Sequence, residues 1–388
     1  MAASNPPKRT CCQRIRYFLL FPIFVIRLVI GFFRQKNRFL QWRQRLALTY
    51  LQVERTTFPE DLQTTTPTGV AIKDYCKKHK LPYRAVTITD IDTVSKAGSG
   101  VDVPPPTLHF VTPVPPTEIG PIILYFHGGA YVSPLRGNAH MPFVLRCAMA
   151  CNAKEIVFLE YSLAPERQYP TQLVQAVLAL WYLLTKLSLR AEDIIMAGDS
   201  AGGNLAGALL AHIVKPSPYA EPLDLRGGCF RALLFVSPWA LLTVDQESFD
   251  KNAEMDYIDR PQVLAFLKSW MPKLRDVWAD LCEGDGAVEV WDQVFPKQAG
   301  SLGLAKKAMV TAGTAEVLLD CCRIFAEVYM KAETVAAGRK TDFGVFARKD
   351  FVFAKCEGEV HVEPALDAAV CYWEGITMQA ILKWLESV

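Results

Sequence analysis

Ile194-Ile195-Met196-Ala197-Gly198-Asp199-Ser200-Ala201-Gly202 is the stretch whose reading decides the fold of this 388-residue chain. Four apolar residues without a breaker make a buried strand, and a helical pattern over Asn204–Val214 follows. The chain between them has to reverse within a few residues, which presents Ser200 at the tip of a tight strand-to-helix turn. Side chains at Gly198 and Gly202 would collide with neighbouring backbone in such a turn, so glycine has a steric reason at both positions. A serine held this way is the candidate nucleophile.

Outward from this turn, short apolar runs alternate with helical patterns from about Pro104 onward. Strands are expected at Ile122–Phe126, Glu155–Glu160, Ile194–Ala197, Ala232–Val236, Ala308–Ala312 and Phe351–Cys356. Helices are expected over Thr171–Leu187, Asn204–Val214, Glu316–Met330 and Ala365–Leu385. This alternation specifies an α/β fold with a mostly parallel central sheet covered by helices on both faces. Residues 241–300 interrupt it. Their Pro261–Trp270 segment is an amphipathic helix and reads as half of a lid, because Trp270, Trp291 and Phe295 have no obvious sheet face to bury them.

A nucleophilic serine needs N–H donors for the oxygen of a tetrahedral intermediate, a base and an acid. The loop Phe126-His127-Gly128-Gly129-Ala130-Tyr131 ends a central strand, so the N–H groups of Gly128 and Gly129, with that of Ala201, are the candidate oxyanion hole and His127 positions the loop. Of six histidines, His79, His109, His127, His140, His212 and His361, only His361 lies beyond the last strand, which makes it the candidate base. The acid is expected after Ala308–Gly313, where Glu316 and Asp320 lie one helical turn apart. Either could accept the Nδ1 proton of the base, and Glu316 is nearer the strand.

These motifs together resemble the hormone-sensitive lipase family of α/β-hydrolases, over roughly Leu108 to the C-terminus. They stand as His127-Gly128-Gly129, Glu160-Tyr161-Ser162-Leu163-Ala164-Pro165-Glu166 and Gly198-Asp199-Ser200-Ala201-Gly202-Gly203. The family's Asp-x-Leu-x-Asp is similar to Glu316-Val317-Leu318-Leu319-Asp320, which puts Glu316 at the triad position in place of the commoner aspartate. Its His-Gly-Phe stands here as His361-Val362-Glu363. The resemblance implies an α/β-hydrolase fold and a serine esterase or deacetylase cleaving acetyl or short acyl esters of a lipophilic substrate, with no cofactor and no metal. It also implies a cap built from residues up to about Cys76 and from the insert at 241–300. Some plant hormone receptors of this family keep the fold after losing the histidine; His361 argues against that reading here. Acyl transfer to an alcohol and lactone opening use the same triad, and the motifs do not distinguish them from hydrolysis.

The formal charge of +2, from 42 basic and 40 acidic residues, creates no field that would attract nucleic acid. The hydrophobic fraction is high at 51%, and part of the excess lies near the N-terminus. Residues 17–33 are apolar apart from Arg27, close to the shortest length that spans a bilayer. A charge near the middle costs about 2.5–3.5 kcal/mol on insertion scales, so the segment either lies in the interface or snorkels Arg27 to the surface. Basic residues flank it, Lys8, Arg9, Arg14 and Arg16 before and Arg34, Lys36, Arg38, Arg43 and Arg45 after. No small-residue cleavage site follows, so the segment reads as a retained anchor binding the membrane surface. The heavier downstream flank and the lack of any Asn-x-Ser/Thr sequon place the catalytic domain on the cytosolic side of an internal membrane such as the endoplasmic reticulum. The expected organisation is a membrane-associating segment over 1–40, an N-terminal cap region over 41–100 and a catalytic domain over 101–388. Eleven cysteines without a repeating spacing do not make a disulfide framework.

Overall fold

The computed structural model describes residues 10–59, 62, 65–91, 94–95, 101–295 and 303–388. Among them nine strands form one sheet: β1 (Tyr83–Thr87), β2 (Thr107–Val111), β3 (Ile122–Phe126), β4 (Glu155–Glu160), β5 (Ile194–Asp199), β6 (Ala232–Val236), β7 (Ala308–Gly313), β8 (Glu333–Ala337) and β9 (Phe351–Cys356). Their spatial order is β1-β2-β4-β3-β5-β6-β7-β9-β8. The β1–β2 and β2–β4 pairs are antiparallel and all others parallel. Every residue of β3, β5, β6 and β7 is buried. Helices cover both faces there, which is why these strands read as continuous apolar runs.

The six expected strands all form. β1, β2 and β8 lacked a signal: β1 and β8 are edge strands with exposed or half-buried side chains along most of their length. The last expected helix is split into Glu363–Ala369 and Ile376–Leu385 around Gly375, where a Cβ would lie 1.8 Å from Asp367 Oδ2. The expected helix starting at Glu316 begins only at Leu319. Glu316 folds back instead, its Oε2 accepting the N–H of Gly313 at 2.9 Å.

In the insert, helix Arg260–Trp270 opens with a reciprocal cap between Asp259 and Gln262. Trp270 at its end is buried against Tyr131, with ring centroids 4.2 Å apart, in keeping with a lid. Trp291 and Phe295 differ from expectation. They pack on Phe325 and Phe351 in the main core, so helix Ala287–Val294 belongs to the body of the domain.

Helix α1 (Cys11–Arg34) is, among the described residues, the one helix long and apolar enough to cross a membrane. Helix α2 (Trp42–Thr57) runs back along it, burying a stripe of Tyr17, Leu20, Phe24 and Leu28 against Val53, Phe58 and Leu62. Gly31 permits the close approach, since a Cβ there would already lie 2.9 Å from Thr49 Cγ2. The Arg27 guanidinium donates to Thr56 O at 3.1 Å and Thr57 Oγ1 at 3.2 Å. The other side of α2 is apolar too. With Leu40, its Ala47 and Leu48 form a cluster with Ala315, Val360 and Leu366, so the hairpin lies directly against the loops that follow β7 and β9.

Candidate active site

At the end of β5 the backbone turns through Ser200 with φ 52° and ψ −118°, a conformation costing about 1–3 kcal/mol that the surroundings must impose. Ser200 N–H donates to Val236 O at 2.9 Å, and its C=O accepts from Trp239 N at 3.0 Å. A Cβ on Gly202 would lie 1.9 Å from Phe126 O, and one on Gly198 2.3 Å from Gly202 O, which bears out the steric argument for both glycines.

The fold brings three of the sequence candidates together. Ser200 Oγ stands 2.9 Å from His361 Nε2, and His361 Nδ1 faces Glu316 Oε1 at 3.7 Å. This last separation is an ion-pair distance rather than a closed hydrogen bond, and Nδ1 has no nearer acceptor among the described residues. Glu316 and His361 are both buried. Glu316 Oε2 accepts the Ser237 hydroxyl at 2.7 Å together with the Gly313 N–H, which leaves Oε1 turned toward the imidazole. Burial pushes the His361 pKa down. The Glu316 carboxylate, with Asp256 and Asp199 behind it, outweighs that and holds it above the ordinary histidine value. Asp320 is engaged elsewhere, its Oδ2 accepting Ser248 N–H at 2.9 Å and its Oδ1 lying 3.5 Å from Arg323.

The oxyanion donors need a correction. Gly128 N–H donates to Asp199 Oδ1 at 2.9 Å, and a Cβ on Gly128 would lie 2.2 Å from Asp199 Oδ2. Gly128 therefore seats the loop on Asp199 and has no N–H to offer a substrate. Asp199 is held by Tyr125 OH at 2.6 Å and His140 Nε2 at 3.4 Å as well. Burial raises the Asp199 pKa, yet these partners bring it below the usual aspartate value. The next three residues, Gly129, Ala130 and Tyr131, all have positive φ, at 111°, 54° and 62°. Among the described residues no protein acceptor takes the N–H of Gly129, Ala130 or Ala201. These three are the donors the geometry leaves free. His127 lies where expected, stacked on Tyr161 at 4.4 Å, and burial pushes its pKa down to about 4, so it is a neutral loop support.

Two residues at the site had no signal in the sequence. Ser237, at the end of β6, ties the acid to the base loop by donating to Glu316 and accepting Val362 N–H at 3.2 Å. Asp256 comes from the insert and is buried beside His361. Tyr131, Trp239 and Trp270 form an aromatic wall linked to the turn through Asn204, which accepts from Tyr131 OH at 2.7 Å and donates to Trp239 O at 2.8 Å.

Residues 123–353 match the family described as the alpha/beta hydrolase fold. The chain belongs to the α/β-hydrolases, in their hormone-sensitive lipase-like branch. Its likeness to an esterase of Acinetobacter venetianus is 28% identity over 214 residues, 55% of this chain and 62% of that protein. Hormone-sensitive lipase of Homo sapiens is 37% identical over 87 residues, 22% of this chain and 8% of that protein. This α/β-hydrolase thus spans less than two thirds of the length of these relatives. In three dimensions it resembles an esterase from the bacterial hormone-sensitive lipase family, with TM-score 0.61 and 21% identity, covering 89% of this chain and 98% of that one.

Proposed function

We propose that this α/β-hydrolase cleaves carboxylic esters of a lipophilic substrate through an acyl-enzyme on Ser200. The observation that carries this reading is the 2.9 Å approach of Ser200 Oγ to His361 Nε2 on a strained strand–helix turn. His361 takes the hydroxyl proton at Nε2 as Oγ bonds to the acyl carbon, and Glu316 Oε1 stabilises the imidazolium so formed. The N–H groups of Gly129, Ala130 and Ala201 receive the negative oxygen, each worth about 2.7–4 kcal/mol in sites of this kind. The intermediate collapses by breaking the bond to the leaving alcohol, whose oxygen takes the proton back from Nε2. Water, deprotonated by the same nitrogen, then bonds to the acyl carbon; as the bond to Ser200 Oγ breaks, Oγ takes the proton back from Nε2 and the acid leaves. A fluorophosphonate probe is expected to label Ser200, read by peptide mass spectrometry; no label, or a label on another serine, overturns the assignment.

The same reading puts the enzyme on a membrane, with α1 lying in the plane of the interface. At about 36 Å, α1 is long enough to span, so length does not decide. Its packing favours the surface. One stripe is covered by α2, which carries Arg43, Arg45, Glu54 and Arg55, while Phe18, Leu19, Ile23, Ile26, Ile30 and Phe33 face outward. Spanning would either drag those charges into hydrocarbon or strip Arg27 of its bonds to Thr56 and Thr57. The exposed Cys11, Cys12 and Cys371 supply a test. In sealed vesicles an impermeant maleimide is expected to modify the peptide of Cys11 and Cys12 from the same side as that of Cys371. Labelling from opposite sides would show that α1 spans.

A further inference from the structure

The candidate acid and base sit on different loops, and the bonds between the loop stems stop short of both. Thr314 N–H donates to Cys356 O at 2.8 Å and Ala315 N–H to Glu359 O at 3.0 Å. Beyond these, the Asp256 side chain grips both loops. Its Oδ2 accepts Val317 N–H at 2.9 Å, from the residue after Glu316, and its Oδ1 accepts the N–H of His361 itself at 3.4 Å, together with that of Tyr257 at 2.7 Å. Asn252, at the start of the same turn, donates to Thr314 O at 3.1 Å and to Glu316 O at 2.7 Å. The turn is held in turn from α2: Gln52 donates to Asp256 O at 2.8 Å, and Arg55 donates to Tyr257 O at 2.7 Å and pairs with Asp259 at 3.0 Å.

We propose that Asp256 is a positioning residue that sets the separation of Glu316 and His361, and that α2 holds it in place, so the N-terminal hairpin is a working part of the catalytic apparatus. The proposal rests on the reading of Ser200, His361 and Glu316 given above. A carboxylate suits the task because its two oxygens serve three backbone N–H donors at once. An amide would keep one acceptor oxygen and set an NH2 group against a backbone N–H. The ionisable groups around Asp256 among the described residues are His361, Glu316 and the buried Glu363 on the gripped loops, Tyr257 on its own turn, and Arg55 and Asp259 where α2 meets that turn. Burial raises the Asp256 carboxyl to about 7; His361 opposes the rise and Glu316 adds to it. When ionised, Asp256 in turn helps lift the His361 pKa.

The test is the rate of phosphonate inactivation as a function of pH. In Asp256→Asn the plateau at high pH is expected to fall on the order of 10²-fold, the effect of a misplacement of about 1 Å. The acidic limb, which reports loss of neutral His361, is expected to move to lower pH, because one of the groups that raise the His361 pKa is gone while Glu316 remains. Loss of packing alone would lower the plateau and leave the limb in place, so an unmoved limb overturns the proposal whatever the plateau does. Should Asp256→Asn fail to fold, the Gln52→Ala variant loosens the same turn from outside without changing a charge; as the carboxylate draws away from His361 the limb is expected to move in the same direction by a smaller amount, and an unmoved limb there overturns the proposal equally. Wild-type protein that leaves Ser200 unlabelled overturns the catalytic reading and Asp256 with it. A labelled wild type whose limb stays put in the variants overturns Asp256 alone.

Discussion

Ser200→Ala is expected to abolish turnover of short-chain p-nitrophenyl esters, with kcat falling by about 10⁶-fold and phosphonate labelling lost, while the protein stays folded. The hydroxyl is the only group at the tip of the turn able to form the acyl bond. What remains after its removal is whatever acceleration the N–H groups of Gly129, Ala130 and Ala201 supply to attack by water. Stability should change little. Among the described residues Ser200 Oγ bonds to His361 Nε2 alone, a contact worth about 0.5–1.5 kcal/mol, and alanine makes the same backbone bonds to Val236 and Trp239. Undiminished turnover in the folded variant would end the assignment of the nucleophile. A thermal melt measured beside the assay separates that result from simple unfolding.

Glu316→Gln is expected to reduce kcat by about 10⁴-fold, against a few-fold at most for Asp320→Asn. The glutamine oxygen would stay with Ser237 OH and Gly313 N–H, which both require an acceptor, and so its NH2 group would face His361 Nδ1. Two donors cannot face each other, so Nδ1 would give up its proton and Nε2 would carry it. An imidazole in that tautomer cannot take the proton of Ser200. Asp320 gives up far less: its amide still accepts Ser248 N–H, and the charge lost is one end of a partly exposed pair with Arg323, worth about 0–1 kcal/mol. The opposite order of effects would move the acid to Asp320.

The turn at Ser200 was legible in the sequence because steric exclusion leaves glycine few substitutes beside it and the apolar run Ile194–Ala197 admits little but a buried strand. His361 was legible by order along the chain and by elimination. The donors proposed for the oxyanion hole were not, because a motif states residue types and not which N–H is already taken; the Asp199 carboxylate claims that of Gly128, and only the folded loop shows it. Asp256 had no local signal. It reaches the site from the insert, where an acidic residue on a turn reads as solvated surface, and its burial exists only once α2 and both loops have closed around it. The partners of Arg27 were not legible for a similar reason: within its own segment it is an isolated charge, and its acceptors lie 29 and 30 residues away on the next helix.

The stretch between α1 and α2 bears on how the apolar surface of α1 can be reduced. Asn37 is fully buried and its Nδ2 donates to Gly358 O at 2.8 Å, while Leu40 packs on Val360, so this connector braces the loop that carries His361. Trimming the chain at residue 40 removes that brace along with the apolar helix. Trimming at residue 34 keeps it, but uncovers the Val53 and Phe58 face of α2 and exchanges one greasy surface for another. The gentler route leaves the backbone whole and recolours the outward side of α1, placing glutamate or lysine at the exposed Phe18, Ile23, Ile26 and Ile30.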